Sequence, residues 1–388
     1  MPFAAAVSTA PQARQAVEEV CRGAALADRP DLAVAFFSPH HLDDAEAIAS
    51  ALQEKLSPTV LLGCVGEAVI GNEREVERRP ALSLWLAKWA RAVEMEPFHL
   101  ELEETPDGCS LMGWPDGLAT ADPARSALLL LGDPTTFPAD LFLQQMNDDH
   151  RGVRVMGGMA SGIRAVGECR LILNGKVLHQ GAAGVLLRGP VGARCIVSQG
   201  CRPIGRPFVI TRARENVILE LAGKPPLARL QELWQQLGPE DQQLFQRGLH
   251  VGRVINEYQG GFQRGDFLVR NVLGLDRDTG ALAITDRVRV GQTVQFHVRD
   301  AATADEDLHA LLQIDLSAGA KRPAGALVFS CNGRGSRMFD QPDHDARAVR
   351  AEAGEIPLAG FFAAGELGPV GGQNFLHGFT ASVVLFEE

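Results

Sequence analysis

The chain has 388 residues, of which 46% are hydrophobic, 22% charged and 6% aromatic, and its formal net charge is -11. That length exceeds the ~100–200 residues of one domain and leaves apolar material for two cores. A net negative chain with few rings argues against a nucleic-acid binder, which needs a broad basic face with stacking aromatics.

The seven cysteines, at positions 21, 64, 109, 169, 195, 201 and 331, include no C-x-x-C pair and no Cys/His set at zinc spacing. They read as reduced thiols, and neither metal nor cofactor is expected. The start, Met1 to Val7, lacks a basic region, and Ser8, Thr9 and Pro11 break its apolar stretch too early for a signal peptide. No run of about 18 apolar residues occurs, so no membrane span is expected, and the cytoplasm is the expected location.

Residues 1–30 read as an N-terminal extension with a helix. A recurring unit follows: apolar strand, polar loop, helix, second strand, glycine turn. Its first copy runs from Leu32–Phe37 through Ser38-Pro39-His40-His41 and a helix near 43–56 to Gly63-Cys64-Val65-Gly66-Glu67. Ala45, Ile48, Ala49, Leu52 and Leu56 fall on one face of that helix. The second copy runs from Ala127–Leu131 and a helix near 138–149 to Gly157-Gly158-Met159-Ala160-Ser161-Gly162. Between the copies the sequence breaks at Cys201 to Pro207, where a domain boundary is placed. Beyond it come a helix opened by Pro225-Pro226, a hairpin turning at Asp276 to Gly280 and a strand over Thr293–Arg299. Thr303-Ala304-Asp305-Glu306 then fits a capping box. The third copy runs from Ala326–Ser330 through Cys331-Asn332-Gly333-Arg334-Gly335 and a helix near 343–353 to Gly360 to Glu366. Each copy has the length of one βαβ unit. The fold class is therefore α/β with α+β character: two related halves, each a mixed sheet flanked by helices, with a cleft between them.

Walker, dinucleotide-binding and metalloprotease motifs are absent, and Gly158 to Gly162 places its serine wrongly for a nucleophile elbow. No enzymatic activity is expected from these patterns. The chemistry concentrates instead at Cys331 to Arg337, where Gly333 and Gly335 permit close backbone approach and Arg334 and Arg337 offer forked donors for a carboxylate or phosphate. Asn332 lies in the same loop. Arg299 is a further candidate, or else an ion-pair partner of Asp300. Glu67 and Glu366 each close a glycine turn and would accept an ammonium group or cap a backbone amide. Asn374 and His377 are polar candidates near a strand start, with a structural hydrogen-bonding role as the alternative. Cys331, beside two arginines, is the one candidate nucleophile, and it needs His344 or His377 as a base.

The chain resembles the FIST family. For the N-terminal domain the likeness rests on Phe36-Phe37-Ser38-Pro39, Gly63 to Glu67, Gly157 to Gly162 and Gly200 to Gly205. For the C-terminal domain it rests on Gly265 to Arg270, Phe296 to Asp300, Cys331 to Gly335 and Gly360 to Glu366. It implies a FIST N-terminal domain over 31–205 and a FIST C-terminal domain over 206–388. It also implies a sensory module for a small ligand, such as an amino acid or small carboxylate. Because no kinase, methyl-accepting, cyclase or F-box segment accompanies the two domains, the expected output is association with a signalling partner, without nucleic acid or membrane. The alternatives are a Cys331-dependent enzyme and a protein scaffold without ligand.

Overall fold

The computed structural model describes residues 2–105, 108–318 and 321–387. The chain forms two compact units, one of Met1–Ser198 with Leu308–Glu388, the other of Gln199–Asp307. The mixed α/β class expected from the sequence is present.

Each recurring unit is a right-length βαβ crossover. Leu32–Phe37 and Val60–Val65 pair in parallel around the helix Ala45–Leu56. Ser126–Gly132 and Arg154–Met159 do so around Ala139–Asp149, and Pro323–Cys331 and Leu358–Ala363 around His344–Ala353. Every residue of Leu32–Phe37, Val60–Val65, Ser126–Gly132 and Leu358–Ala363 is buried. Near-continuous apolar strands are what parallel pairs covered on both faces require.

These three crossovers sit in three sheets of the first unit, and distant parts of the chain complete them. Glu366–Val370 and Gln373–His377 form a hairpin whose first strand runs antiparallel to Arg154–Met159, with Gly158 opposite Glu366. Ala68–Gly71 and Arg74–Glu77 form another that pairs with Leu358–Ala363. A hairpin of the N-terminal third therefore extends the sheet of the C-terminal third, and a C-terminal hairpin extends the sheet of Ser126–Gly132 and Arg154–Met159. This exchange carries Glu75 and Glu366 to the loop that follows Pro323–Cys331.

The second unit closes six strands into a barrel in the order Cys201–Arg214, Val217–Leu221, Leu282–Ile284, Phe267–Leu275, Leu249–Val254 and Thr293–Arg299. Ile204, Phe208, Ile210, Val251, Phe296 and Val298 are among its buried core. The predicted helix is present as Pro226–Gln236 and the predicted hairpin as Phe267–Leu275 with Leu282–Ile284. Closure into a barrel was not expected. The capping box at Thr303 is also corrected: the helix Ala301–Ser317 starts earlier, and Asp300 accepts the Thr303 amide at 3.2 Å. Aspartate at that position satisfies an orphan amide of the first turn as well as threonine would.

Among the described residues no helix is long and apolar enough to cross a membrane, and no group of three or more His, Cys, Asp or Glu side chains is arranged to hold a metal ion. All seven cysteines are free thiols.

Candidate functional site

The strand Pro323–Cys331 ends in a loop that folds back over the N-terminus of the helix His344–Ala353. Arg334 N bonds to Cys331 O at 2.8 Å, which turns the chain. Gly335 follows with φ +57°, and a Cβ there would stand 2.7 Å from the Phe362 ring and 2.8 Å from Glu77 Oε1. Only glycine fits that place. The turn drives the Arg334 side chain inward, where it is 1% exposed.

There Arg334 makes a forked pair with Asp345, Nε to Oδ2 at 2.8 Å and Nη2 to Oδ1 at 2.7 Å. Ser330 Oγ donates to Asp345 Oδ2 at 2.6 Å, and His344 Nδ1 lies 2.9 Å from Oδ1. The His344 ring stacks on Phe339 at 3.4 Å, and Phe339 lies under the Arg334 guanidinium at 5.1 Å. Burial alone would raise the Asp345 carboxyl, yet the charge and hydrogen bonds of Arg334, then His344, hold it well below the usual carboxylate range. Asp345 is ionised and Arg334 is its counter-charge.

Two more carboxyls border this pair. Glu75, from the strand Arg74–Glu77, caps the helix: its Oε1 accepts the backbone amides of Asp345 at 2.7 Å and Ala346 at 3.0 Å. Burial, then the Asp345 charge, push it up to about 8 despite those amides. Glu366 is fully buried, and its Oε2 accepts Thr380 N at 3.1 Å and Thr380 Oγ1 at 2.7 Å. Burial pushes it also to about 8, against the Thr380 bonds and the Arg334 charge. Among the described residues, three buried atoms of the cluster have no hydrogen-bond partner: Arg334 Nη1, Glu75 Oε2 and Glu366 Oε1. Natural interiors leave few such groups, because each costs about 1–3 kcal/mol.

The remaining predicted residues divide. The three glycine turns meet one another: Met159 N bonds to Gly365 O at 2.8 Å, and Ser161 Oγ accepts Glu67 N at 2.7 Å while donating to Phe362 O. Arg337 stands exposed at the rim and grips Glu67 with both terminal nitrogens, one contact being 3.0 Å. Its Nη1 also donates to Asn332 O. The two residues expected to hold opposite ends of a ligand therefore hold each other. Asn332 N bonds to Ala363 O at 2.9 Å, and Gly333 N points at Cys331 Sγ at 3.4 Å. Cys331 is 7% exposed.

Asn374 has the structural role given as its alternative. Its side chain accepts Val155 N at 2.8 Å and donates to Val153 O at 2.9 Å, tying its strand to Arg154–Met159 of the same sheet. His377 Nε2 lies 3.0 Å from Gly368 O. Arg299 belongs to the second unit, where its charge acts on His250. Asp300 is held by Arg202, Nε to Oδ2 at 2.6 Å.

Sequence reasoning missed Asp345 and Glu75. Asp345 reads as an ordinary first-turn acid of a helix, and Glu75 as an alternating position of a short exposed-looking strand. The one available signal was the inequality of charge in the loop, two arginines without a nearby acid before Asp340.

A model of the FIST N domain matches residues 31–224 and one of the FIST C domain matches residues 226–369. The chain belongs to the FIST family, whose domains are associated with sensing in signal transduction. It is 44% identical over 389 residues to Uncharacterized protein Rv0628c of Mycobacterium tuberculosis, covering all of both chains. It is 43% identical to Uncharacterized protein Mb0898c of Mycobacterium bovis, covering 100% of this chain and 99% of that one.

Proposed function

We propose that this chain is a cytoplasmic sensor of a small ligand, an amino acid or small carboxylate, that signals by associating with a partner protein and catalyses no reaction. The observation that carries the reading is the unmatched cluster around Arg334. A buried guanidinium nitrogen and two buried carboxyl oxygens, none with a partner among the described residues, are the polar complement of a small charged molecule. The family's association with sensing supports it independently.

Ligand entry requires the rim to open, and the rim is held by the half-exposed Arg337–Glu67 pair and by Ser336, whose N and Oγ donate to Glu77 at 2.9 and 2.6 Å. A ligand that binds only the opened loop would shift the population toward it, and that change of surface would be what a partner reads.

The test is a thermal-shift panel of amino acids and small carboxylates on the full chain. A ligand at a hundred times its Kd stabilises by roughly 2.7 kcal/mol, or several degrees. Glu366→Gln should reduce that shift while the variant itself melts no lower than the parent. Arg334→Ala is unsuitable, since it strands Asp345 in the interior. A panel without any hit would sink the sensor reading.

A further inference from the structure

The bonding of Asp345 decides what the rest of the cluster lacks. Its Oδ1 takes Arg334 Nη2 and His344 Nδ1, and its Oδ2 takes Arg334 Nε and Ser330 Oγ. The carboxylate is full, and the Arg334–Asp345 pair is balanced in charge. The groups packed around it are His344 from the helix, Cys331 and Arg337 from the loop, Glu75 and Glu77 from the strand Arg74–Glu77, and Glu366 with His377 opposite it in the ladder. Arg337 is committed to Glu67 at the rim.

Glu75 and Glu366 are held by uncharged donors, two helix amides on Glu75 Oε1 and Thr380 on Glu366 Oε2. Buried on those terms, both are neutral acids up to about pH 8. Because the accepting oxygens are taken, each proton sits on the other one, Glu75 Oε2 and Glu366 Oε1. These are two of the three unmatched atoms, and the third is the donor Arg334 Nη1. A neutral carboxyl donates through its O–H. Among the described residues the cluster thus holds three buried donors that lack an acceptor, and the charge of Arg334 acts on both acids.

Resting on the sensor reading of this cluster, we infer that the ligand is a simple carboxylate without an amine, whose head group accepts from Arg334 Nη1 and from the acids of Glu366 and Glu75. An ammonium would bring more donors to a place already short of acceptors, and the one ionised carboxylate there is full. A neutral carbonyl would accept, but an anion makes each of these bonds charge-assisted and roughly twice as strong. A carboxylic acid kept neutral by burial so that it can donate to an oxyanion is established chemistry. Binding requires both acids in their protonated form. At high pH, where they are ionised, each takes a proton from the buffer as the ligand enters, forming its O–H bond, and no covalent bond forms between ligand and protein.

Four probes of equal length separate the readings: propionate, propionamide, propylamine and β-alanine, titrated calorimetrically into the full chain at pH 6, 7, 8 and 9, in two buffers of different ionisation enthalpy. Propionate should bind more tightly than the other three. Its affinity should hold nearly level from pH 6 to 7 and fall about fivefold for each of the two acids from pH 8 to 9, with proton uptake at pH 9 approaching two. Glu366→Gln keeps an N–H donor at that place, so it should bind propionate more weakly at pH 7 and take up about one proton fewer at pH 9. The pH profile of the unaltered chain stands as evidence even if that variant folds poorly. Propylamine binding with proton release, propionamide binding as tight as propionate, or propionate affinity that does not fall above pH 8 overturns the carboxylate inference. So does a panel hit that carries no carboxylate, and each of these leaves the sensor reading intact. No binding by any probe or panel member overturns both.

Discussion

The two compact units bury titratable groups in opposite ways. In the barrel, His250 and His297 stand opposite each other in register. Burial, then the Arg299 charge, holds His250 down at about 4, and burial holds His297 at about 4 as well. His297 Nδ1 lies 3.0 Å from Gln295 O, and its ring meets Phe267 edge-on at 4.8 Å. The ring lies across Gly252, where a Cβ would come within 2.3 Å of it. The barrel has thus made its histidines neutral core. The first unit instead keeps a charge inside, supplies one full counter-charge, and leaves two carboxyls near 8 with unmatched atoms. The barrel keeps its buried rings uncharged, whereas the first unit holds an ionised pair beside two buried carboxyls.

The sharpest way to break this contrast is Asp345→Asn. It keeps the shape but leaves the Arg334 guanidinium without its counter-charge, at a cost of roughly 3–5 kcal/mol. In urea melts read by hydrogen-exchange mass spectrometry, peptides from Pro323–Cys331 and Leu358–Ala363 should lose that stability. A variant as stable as the parent would show that the pair is not a buried ion pair at all.

Next in size is the response of the barrel to acid. The two histidines have folded values near 4 against about 6.5 when unfolded, so the unfolded chain binds more protons between those limits. Their contribution is fully present above pH 6.5 and is lost as pH falls towards 4, about 3 kcal/mol for each at most. Exchange in Leu249–Val254 and Thr293–Arg299 should report it, and His297→Gln should flatten it. The carboxyls of the first unit carry the opposite sign. With folded values near 8 and unfolded values near 4.5, their contribution is present below pH 4.5 and is lost as pH rises through 8. A barrel that keeps its stability from pH 6.5 to 4 would contradict the assignment of neutral histidines.

What the sequence revealed of this contrast follows from range. The three crossovers were legible because each is local: a buried strand such as Leu32–Phe37, a helix whose Ala45, Ile48, Ala49 and Leu52 share a face, and a parallel partner. Arg334 was legible from the glycines around it. Its neighbours were not, because Glu75 and Glu366 each reach it on a hairpin that joins a sheet built by another part of the chain, and no local pattern encodes which sheet a hairpin joins. The barrel was hidden for another reason. Its strand Cys201–Arg214 is half exposed, and its register with Thr293–Arg299 shifts between Ile204 and Phe208, so the alternation that marks a strand is broken. Asp300 displaced the expected cap because Arg202 holds its carboxylate in place.

A smaller effect sharpens the first unit's side of the comparison. Glu366→Gln mimics the neutral acid without having to take up a proton on folding, so at pH 7 it should be more stable than the parent. From pH 7 to 9 the parent should lose about 1.4 kcal/mol as the carboxyl ionises in its buried place, and the variant should not. Parallel urea titrations at pH 7, 8 and 9 measure this directly. Identical slopes for the two proteins would place Glu366 in the ordinary carboxylate range and remove its proton from the account of ligand binding.

The smallest effect belongs to Arg337. Its pair with Glu67 is partly exposed, with side chains 45% and 35% accessible, and such pairs contribute about 0–1 kcal/mol. Arg337→Ala should therefore lower stability by less than about 1 kcal/mol, while the affinity of a ligand bound at Glu366 stays within roughly twofold, since a rim residue already paired contributes little to a buried contact. Calorimetry on the variant checks both statements. A loss of ligand binding of tenfold or more would mean that Arg337 leaves Glu67 to grip the ligand, and the site would then extend from the buried carboxyls out to the rim.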